Sequence, residues 1–169
     1  IIMLEFIKNI RPKFEISKIP MHFERLKLDN RNHYENKAIK GLDRVASTQN
    51  KVWHENLPNK VIKYINEFGY DETQYSANIN LQQPGQMAPL HKDNHGHACK
   101  KFNRPPEDFI RLLVFLTDWS IGQVFGCEDK TIIQWKAGDC YTFDSNDQHF
   151  SANTGTEDKY TIVISAIRK

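Results

Sequence analysis

Only three of the 169 residues are cysteine, Cys99, Cys127 and Cys140, and no two of them form a C-x-x-C pair. An odd set of this kind argues against a disulfide scaffold and suits a reducing compartment, so a cytoplasmic protein is the expectation. Charge of one sign is not in excess either. The 23 Lys+Arg stand against 21 Asp+Glu, so no whole-chain field demands a polyanionic partner and only local basic patches need be considered. Long apolar runs are missing as well. The stretch IIMLEFIKNIRPKFEI is broken by Glu5, Lys8 and Arg11, and neither a secretory leader nor a membrane span is expected there. There is no internal repeat and no low-complexity tract, and the length fits a single domain, residues 1–169.

The texture of the chain changes near residue 76. Residues 1–75 are charged, with mixed apolar periodicity, and are expected to form a helical or mixed support region. Within it Val61, Ile62, Ile65 and Phe68 recur at helical spacing, with Asn59 as the expected cap and Gly69 as the stop. From 76 to 169 short runs rich in Ile, Val, Thr, Tyr and Phe are punctuated by Pro84-Gly85, Gly122, Gly138-Asp139 and Gly155. Strands are predicted over 76–83, 86–91, 109–117, 122–127, 131–136, 139–143, 148–152 and 159–167. Eight short strands in succession predict a mainly β fold with N-terminal helices, a sandwich or barrel of jelly-roll type. Residues 93–108, DNHGHACKKFNRPPED, are polar and carry Pro105-Pro106, which predicts a long mobile loop and a candidate lid.

His91 and Asp93 are two apart at the end of a predicted strand, so both side chains can project to one side. His149, 56 residues beyond Asp93, would complete two imidazoles and one carboxylate. A facial set of that composition leaves three coordination positions open, as an Fe(II) centre needs to bind a bidentate cosubstrate and dioxygen together. Asp144 or Asp147 would fix the second nitrogen of His149. His95 and His97 share the same alternation and are alternative ligands, zinc-scavenging surface residues or substrate-loop contacts.

Taken in order, QQPGQMAPLHKD, RLLVFLTDW with GQVF, WKAGDCYTFDSNDQHFSANTG and KYTIVI resemble the Fe(II)/2-oxoglutarate-dependent oxygenases, in particular the prolyl-4-hydroxylase-like branch. The resemblance spans about residues 76–167. It implies a cupin-like double-stranded β-helix core over 76–169, with His91, Asp93 and His149 as catalytic metal ligands. It also implies that Lys159, ten positions after His149, holds the far carboxylate of 2-oxoglutarate, with Thr161 beside it on the same strand face. Gln83 and Phe115 depart from the pattern where relatives carry tyrosine. Arg111 either points inward, to serve the cosubstrate or an acidic substrate, or lies exposed at a strand edge. Tyr141 either lines the pocket or packs in the core, and Trp119 and Trp135 are expected to pack.

The activity so implied is a dioxygenase that hydroxylates a C–H bond using Fe(II), 2-oxoglutarate and dioxygen, with ascorbate in support. A peptidyl proline is the leading substrate, with a free amino acid, another protein side chain or a nucleobase as the alternatives. Nucleic acid is the least favoured partner, since Lys100, Lys101 and Arg104 are a short basic cluster of the kind a solvated face carries. A non-catalytic cupin-like metal-binding module is the competing reading of the same barrel.

Overall fold

The computed structural model describes residues 4–27, 48–144 and 146–168. Along the chain run strands β1 (Glu5–Asn9), β2 (Glu24–Lys27) and β3 (Thr48–Trp53), helix α1 (Asn59–Asn66), strands β4 (Tyr75–Gln82) and β5 (Gln86–His91), and helix α2 (Gly96–Phe102). Strands β6 (Phe109–Phe115), β7 (Gln123–Cys127), β8 (Lys130–Ile132), β9 (Asp139–Phe143), β10 (His149–Asn153) and β11 (Lys159–Ile167) follow. They make two antiparallel sheets, a seven-stranded one in the order β1-β9-β6-β11-β4-β3-β2 and a four-stranded one in the order β5-β10-β7-β8. The two sheets face each other as in a jelly roll, but among the described residues their strands do not close into a hydrogen-bonded barrel.

Alternation along the strands decides what each face of the large sheet does. In β4, Tyr75, Ala77, Ile79 and Leu81 point outward into a core shared with Leu112 and Val114 of β6 and Ile162, Ile164 and Ala166 of β11. Helix α1 covers this outer face with Val61, Ile62, Tyr64 and Ile65, each burial worth about 1.5–3 kcal/mol for the aliphatic residues. The opposite faces of the same strands, Ser76, Asn78, Asn80 and Gln82, then Arg111 and Leu113, then Thr161, Val163 and Ser165, line a cavity between the sheets. At one end the gap is filled by a second core of Leu113, Phe115, Phe125, Cys127, Ile132, Trp135 and Phe143. All three cysteines are free.

Several expectations change. Of the two forms expected for the support region, the described residues are mixed: β1, β2 and β3 extend the large sheet at both edges and α1 lies on its outer face. Asn59 is not a cap but the first helical residue, and Pro58 precedes it without a side-chain cap bond. The stretch 93–108 is not an unstructured loop: it contains α2 and a 3-10 turn over Pro106–Asp108. The strand expected over 131–136 shortens to Lys130–Ile132, because Gln134 adopts φ 60° and Trp135 turns into the core.

Gly138 ties the N-terminal strand to the sheet. It has φ +94°, its N–H donates to Phe115 O at 2.7 Å, its carbonyl accepts from Ile10 N at 3.0 Å, and an added Cβ would lie 2.2 Å from Ile10 O. Gly138→Ala should therefore cost about 2–4 kcal/mol. Thermal unfolding should show this as a melting temperature lower by roughly 4–16 °C.

No helix among the described residues is long and apolar enough to cross a membrane.

Candidate functional site

His91 and His149 become neighbours through strand register: they pair directly where β5 runs antiparallel to β10. Three steps on β5, Ala88 to His91, match two on β10, Ser151 to His149. The extra residue falls around Pro89, which has no N–H to lose from the ladder, and such a bulge re-aims the side chain that follows it. The two imidazole centroids stand 4.2 Å apart. Asp93, just beyond the strand, brings Oδ1 to 3.7 Å from His91 Nε2 and Oδ2 to 3.5 Å from His149 Nε2. One ligand atom from each residue lies within 4.8 Å of the others, on the wall of a cavity of about 320 Å³.

The tautomers are preset. His91 Nδ1 lies 2.7 Å from Pro89 O and His149 Nδ1 lies 3.0 Å from Asp147 O. A carbonyl only accepts, so each Nδ1 carries a proton, and in the neutral ring the lone pair is then on Nε2, which faces the shared centre. The partner of His149 is thus the Asp147 backbone, not the carboxylate of Asp144 or Asp147. Asp144 pairs with Arg168 at 3.0 Å, and the Asp147 carboxylate accepts from Asp144 N. Burial pushes the His149 imidazole down to about 4, against the pull of Asp93, and so keeps it neutral near pH 7.

Burial alone would raise the Asp93 carboxyl, but Arg111, then His149, His91 and Lys51, hold it below the ordinary carboxylate range. Arg111 is inward and 6% exposed, which resolves the two readings of it. Its Nη2 meets Asp93 Oδ2 at 2.8 Å and its Nη1 donates to Ser165 Oγ at 2.7 Å. With Oδ2 taken, Oδ1 is the oxygen left for a cation. Two imidazole nitrogens and one carboxylate oxygen on a cavity wall suit a first-row divalent ion such as Fe(II).

Lys159 is 1% exposed and lies behind the cavity wall. Its ammonium donates to Val124 O at 2.7 Å and Ser151 Oγ at 2.6 Å, and it sits 5.0 Å from the Trp135 ring centroid. Ser151, which does line the cavity, passes the contact on to Gln82 Oε1 at 2.8 Å. Burial pushes Lys159 down to about 7. Thr161 lines the cavity.

Tyr141 does not reach the cavity. It shares a side of β9 with Phe143, which does line the cavity, but stands one pleat further from the site, packed edge-on against Phe6 and Phe115 beside the second core. His95 and His97 lie outside the ligand set. His95 is buried with Nδ1 2.9 Å from Ser165 Oγ, whereas His97 stacks on Trp53 with centroids 5.5 Å apart and meets Glu55 Oε1 at 2.7 Å.

The sequence reading missed Lys51, Trp53, Ser76, Asn78, Asn80, Gln82, Ser151 and Ser165. The signal for four of them was present in YSANINLQ, residues 75–82, where strict alternation leaves a wholly polar second face on a strand that is buried on the first.

No protein-family model matches the chain, and no curated protein matches it in sequence. Solved structures similar to it include a predicted oxalate decarboxylase from Thermotoga maritima, with 17% identity, TM-score 0.49, and 90% of this chain and 96% of that chain covered. Another is an oxidoreductase of the 2OG-Fe(II) oxygenase family from Burkholderia pseudomallei, with 12% identity, TM-score 0.48, and 72% and 67% covered. A cupin domain from Bordetella pertussis shares 14% identity at TM-score 0.39, with 60% and 88% covered. At these values the likenesses carry no argument about function, which has to come from the side chains.

Proposed function

We propose that the chain is a non-haem Fe(II) oxygenase that uses 2-oxoglutarate and dioxygen to hydroxylate a C–H bond of an organic substrate. The observation that carries this reading is the donor set itself: His91 Nε2, Asp93 Oδ1 and His149 Nε2 converge on one cavity wall with both imidazole tautomers set by backbone carbonyls. Fe(II) held there would supply the activation of dioxygen, coupled to decarboxylation of 2-oxoglutarate to succinate.

The chain's own residues supply the rest. Arg111 restrains Asp93 to one free oxygen and balances its charge inside the protein. Thr161 offers a hydroxyl to an entering carboxylate, Ser151 would turn its own from Gln82 to meet it, and Lys159 behind Ser151 neutralises it, exchanging a neutral acceptor for a charged one. Leu113, Phe125 and Phe143 give the cavity a dry wall. The resemblance in sequence to the prolyl-4-hydroxylase-like branch keeps a peptidyl proline among the substrates, beside a free amino acid, another protein side chain and a nucleobase.

Protein incubated with Fe(II), ascorbate and 2-oxoglutarate should release succinate above a metal-free control. No succinate, with or without added peptides and amino acids, would overturn the catalytic reading.

A further inference from the structure

Strands β3 and β4 carry donors that nothing in the site described so far uses. Lys51 and Asn80 are direct register partners on these strands, and both side chains line the cavity. Unlike Arg111 and Lys159, whose charges are already engaged, the Lys51 ammonium has no hydrogen bond or ion pair among the described residues; its close neighbour is the Trp53 ring, 5.1 Å to the centroid. Asn80 Oδ1 accepts from Asn78 Nδ2 at 2.9 Å, which leaves the Asn80 amide NH₂ with no acceptor among the described residues.

The wall around these donors is built to hold a molecule. Trp53 is anchored by its indole N–H to Glu24 Oε2 at 3.1 Å, and its ring is stacked by His97 of α2, which Glu55 holds in turn. The two rings make an aromatic face at the cavity beside the ammonium. Lys51 also stands within electrostatic reach of Asp93 and Arg111: burial lowers its ordinary value, Asp93 opposes the shift and Arg111 adds to it. A group held by Lys51 is therefore held in the same chamber as the candidate metal ligands.

We propose that Lys51 and Asn80 form the subsite for the carboxylate of a free amino-acid substrate, with Trp53 and His97 as the wall against which its apolar part lies. Calling that ligand the substrate rests on the oxygenase reading. An ammonium beside an amide NH₂ supplies separate donors for the two oxygens of one carboxylate. A phosphate dianion would be left half-neutralised by a single lysine. A chamber of about 320 Å³ that also admits 2-oxoglutarate leaves room for a molecule of amino-acid size.

The test is isothermal titration of the metal-free protein with the twenty standard L-amino acids and with their C-terminal amides, in parallel with inorganic phosphate. At least one free amino acid should bind. Its amide should bind at least tenfold more weakly, and Lys51→Met should weaken the free acid by at least tenfold while Lys51→Arg restores it. Asn80→Ala is the second variant, expected to weaken the acid and not the amide, and it decides the matter if Lys51→Met melts early. The proposal is overturned if no free amino acid binds, if acid and amide bind equally, if the variants bind like the parent, or if phosphate displaces the acid with equal or better affinity. Succinate release needs none of these ligands. Its failure would remove the oxygenase reading and leave a carboxylate site standing, whereas failed titrations with normal succinate release would remove only this subsite.

Discussion

Replacing His149 by alanine should abolish Fe(II) binding and turnover while leaving the protein folded. His149 contributes one of three donor atoms, and its Nε2 has no protein hydrogen donor to satisfy, so its loss removes a ligand without stranding a charge. Loss of a supporting residue around a metal ligand typically costs 10–100-fold in affinity, and loss of a ligand itself should exceed about 100-fold. Anaerobic Fe(II) and 2-oxoglutarate should give a visible charge-transfer absorption with the parent and none with His149→Ala. Persistence of that band would refute the ligand assignment. Asp93→Ala is a poorer probe of the same idea, because it would leave the Arg111 guanidinium buried without its carboxylate, a destabilisation of about 3–5 kcal/mol that would mask any effect on metal.

Lys159→Ala should weaken 2-oxoglutarate by about 10–100-fold, the worth of a charge-assisted contact of 1.5–3 kcal/mol, and leave Fe(II) affinity nearly unchanged. Equal losses for both ligands would indicate a folding defect, since Lys159 is also braced by Val124, Ser151 and the Trp135 ring. The pH dependence separates the two cases. Burial holds Lys159 down to about 7, so the free protein loses the cation as pH rises above that value and must take up a proton to bind the carboxylate. Affinity should fall above pH 7, by at most about tenfold per pH unit, and Lys159→Ala should lose that slope. Stability of the cosubstrate-free protein should move the other way. The unfolded chain keeps this lysine protonated to about 10.4, so between pH 7 and that value the unfolded state binds more protons and Lys159 makes folding more favourable as pH rises.

Much of the β scaffold was legible because alternation is a local property. RLLVF in β6 and KYTIVISAI in β11 separate an inner from an outer face within a few residues, and the structure places these two strands within two residues of where the patterns predict them. Strands β1, β2 and β3 were not legible. EFIKN, ERLK and TQNKVW carry no clean alternation, and β1 becomes a strand only by pairing with β9, at least 130 residues away. The misreading of 93–108 has a different cause. Its polar, proline-containing composition hides a helix whose one buried residue is Ala98.

The sequence by itself determined the residue types of the site and their order, with His91 and Asp93 at the end of one strand, His149 at the start of another, and Lys159 and Thr161 sharing a face, because spacing along a strand fixes which side chains share a side. Only the tertiary structure decided what those residues meet. The β5–β10 register set the two histidines side by side, the β6–β11 pairing turned Arg111 onto Asp93 and Ser165, and the β3–β4 register stood Lys51 beside Asn80. These contacts join segments tens of residues apart, and a register shift of one residue would turn each side chain to the opposite face, a choice made by the packing of the two sheets and not by any local pattern.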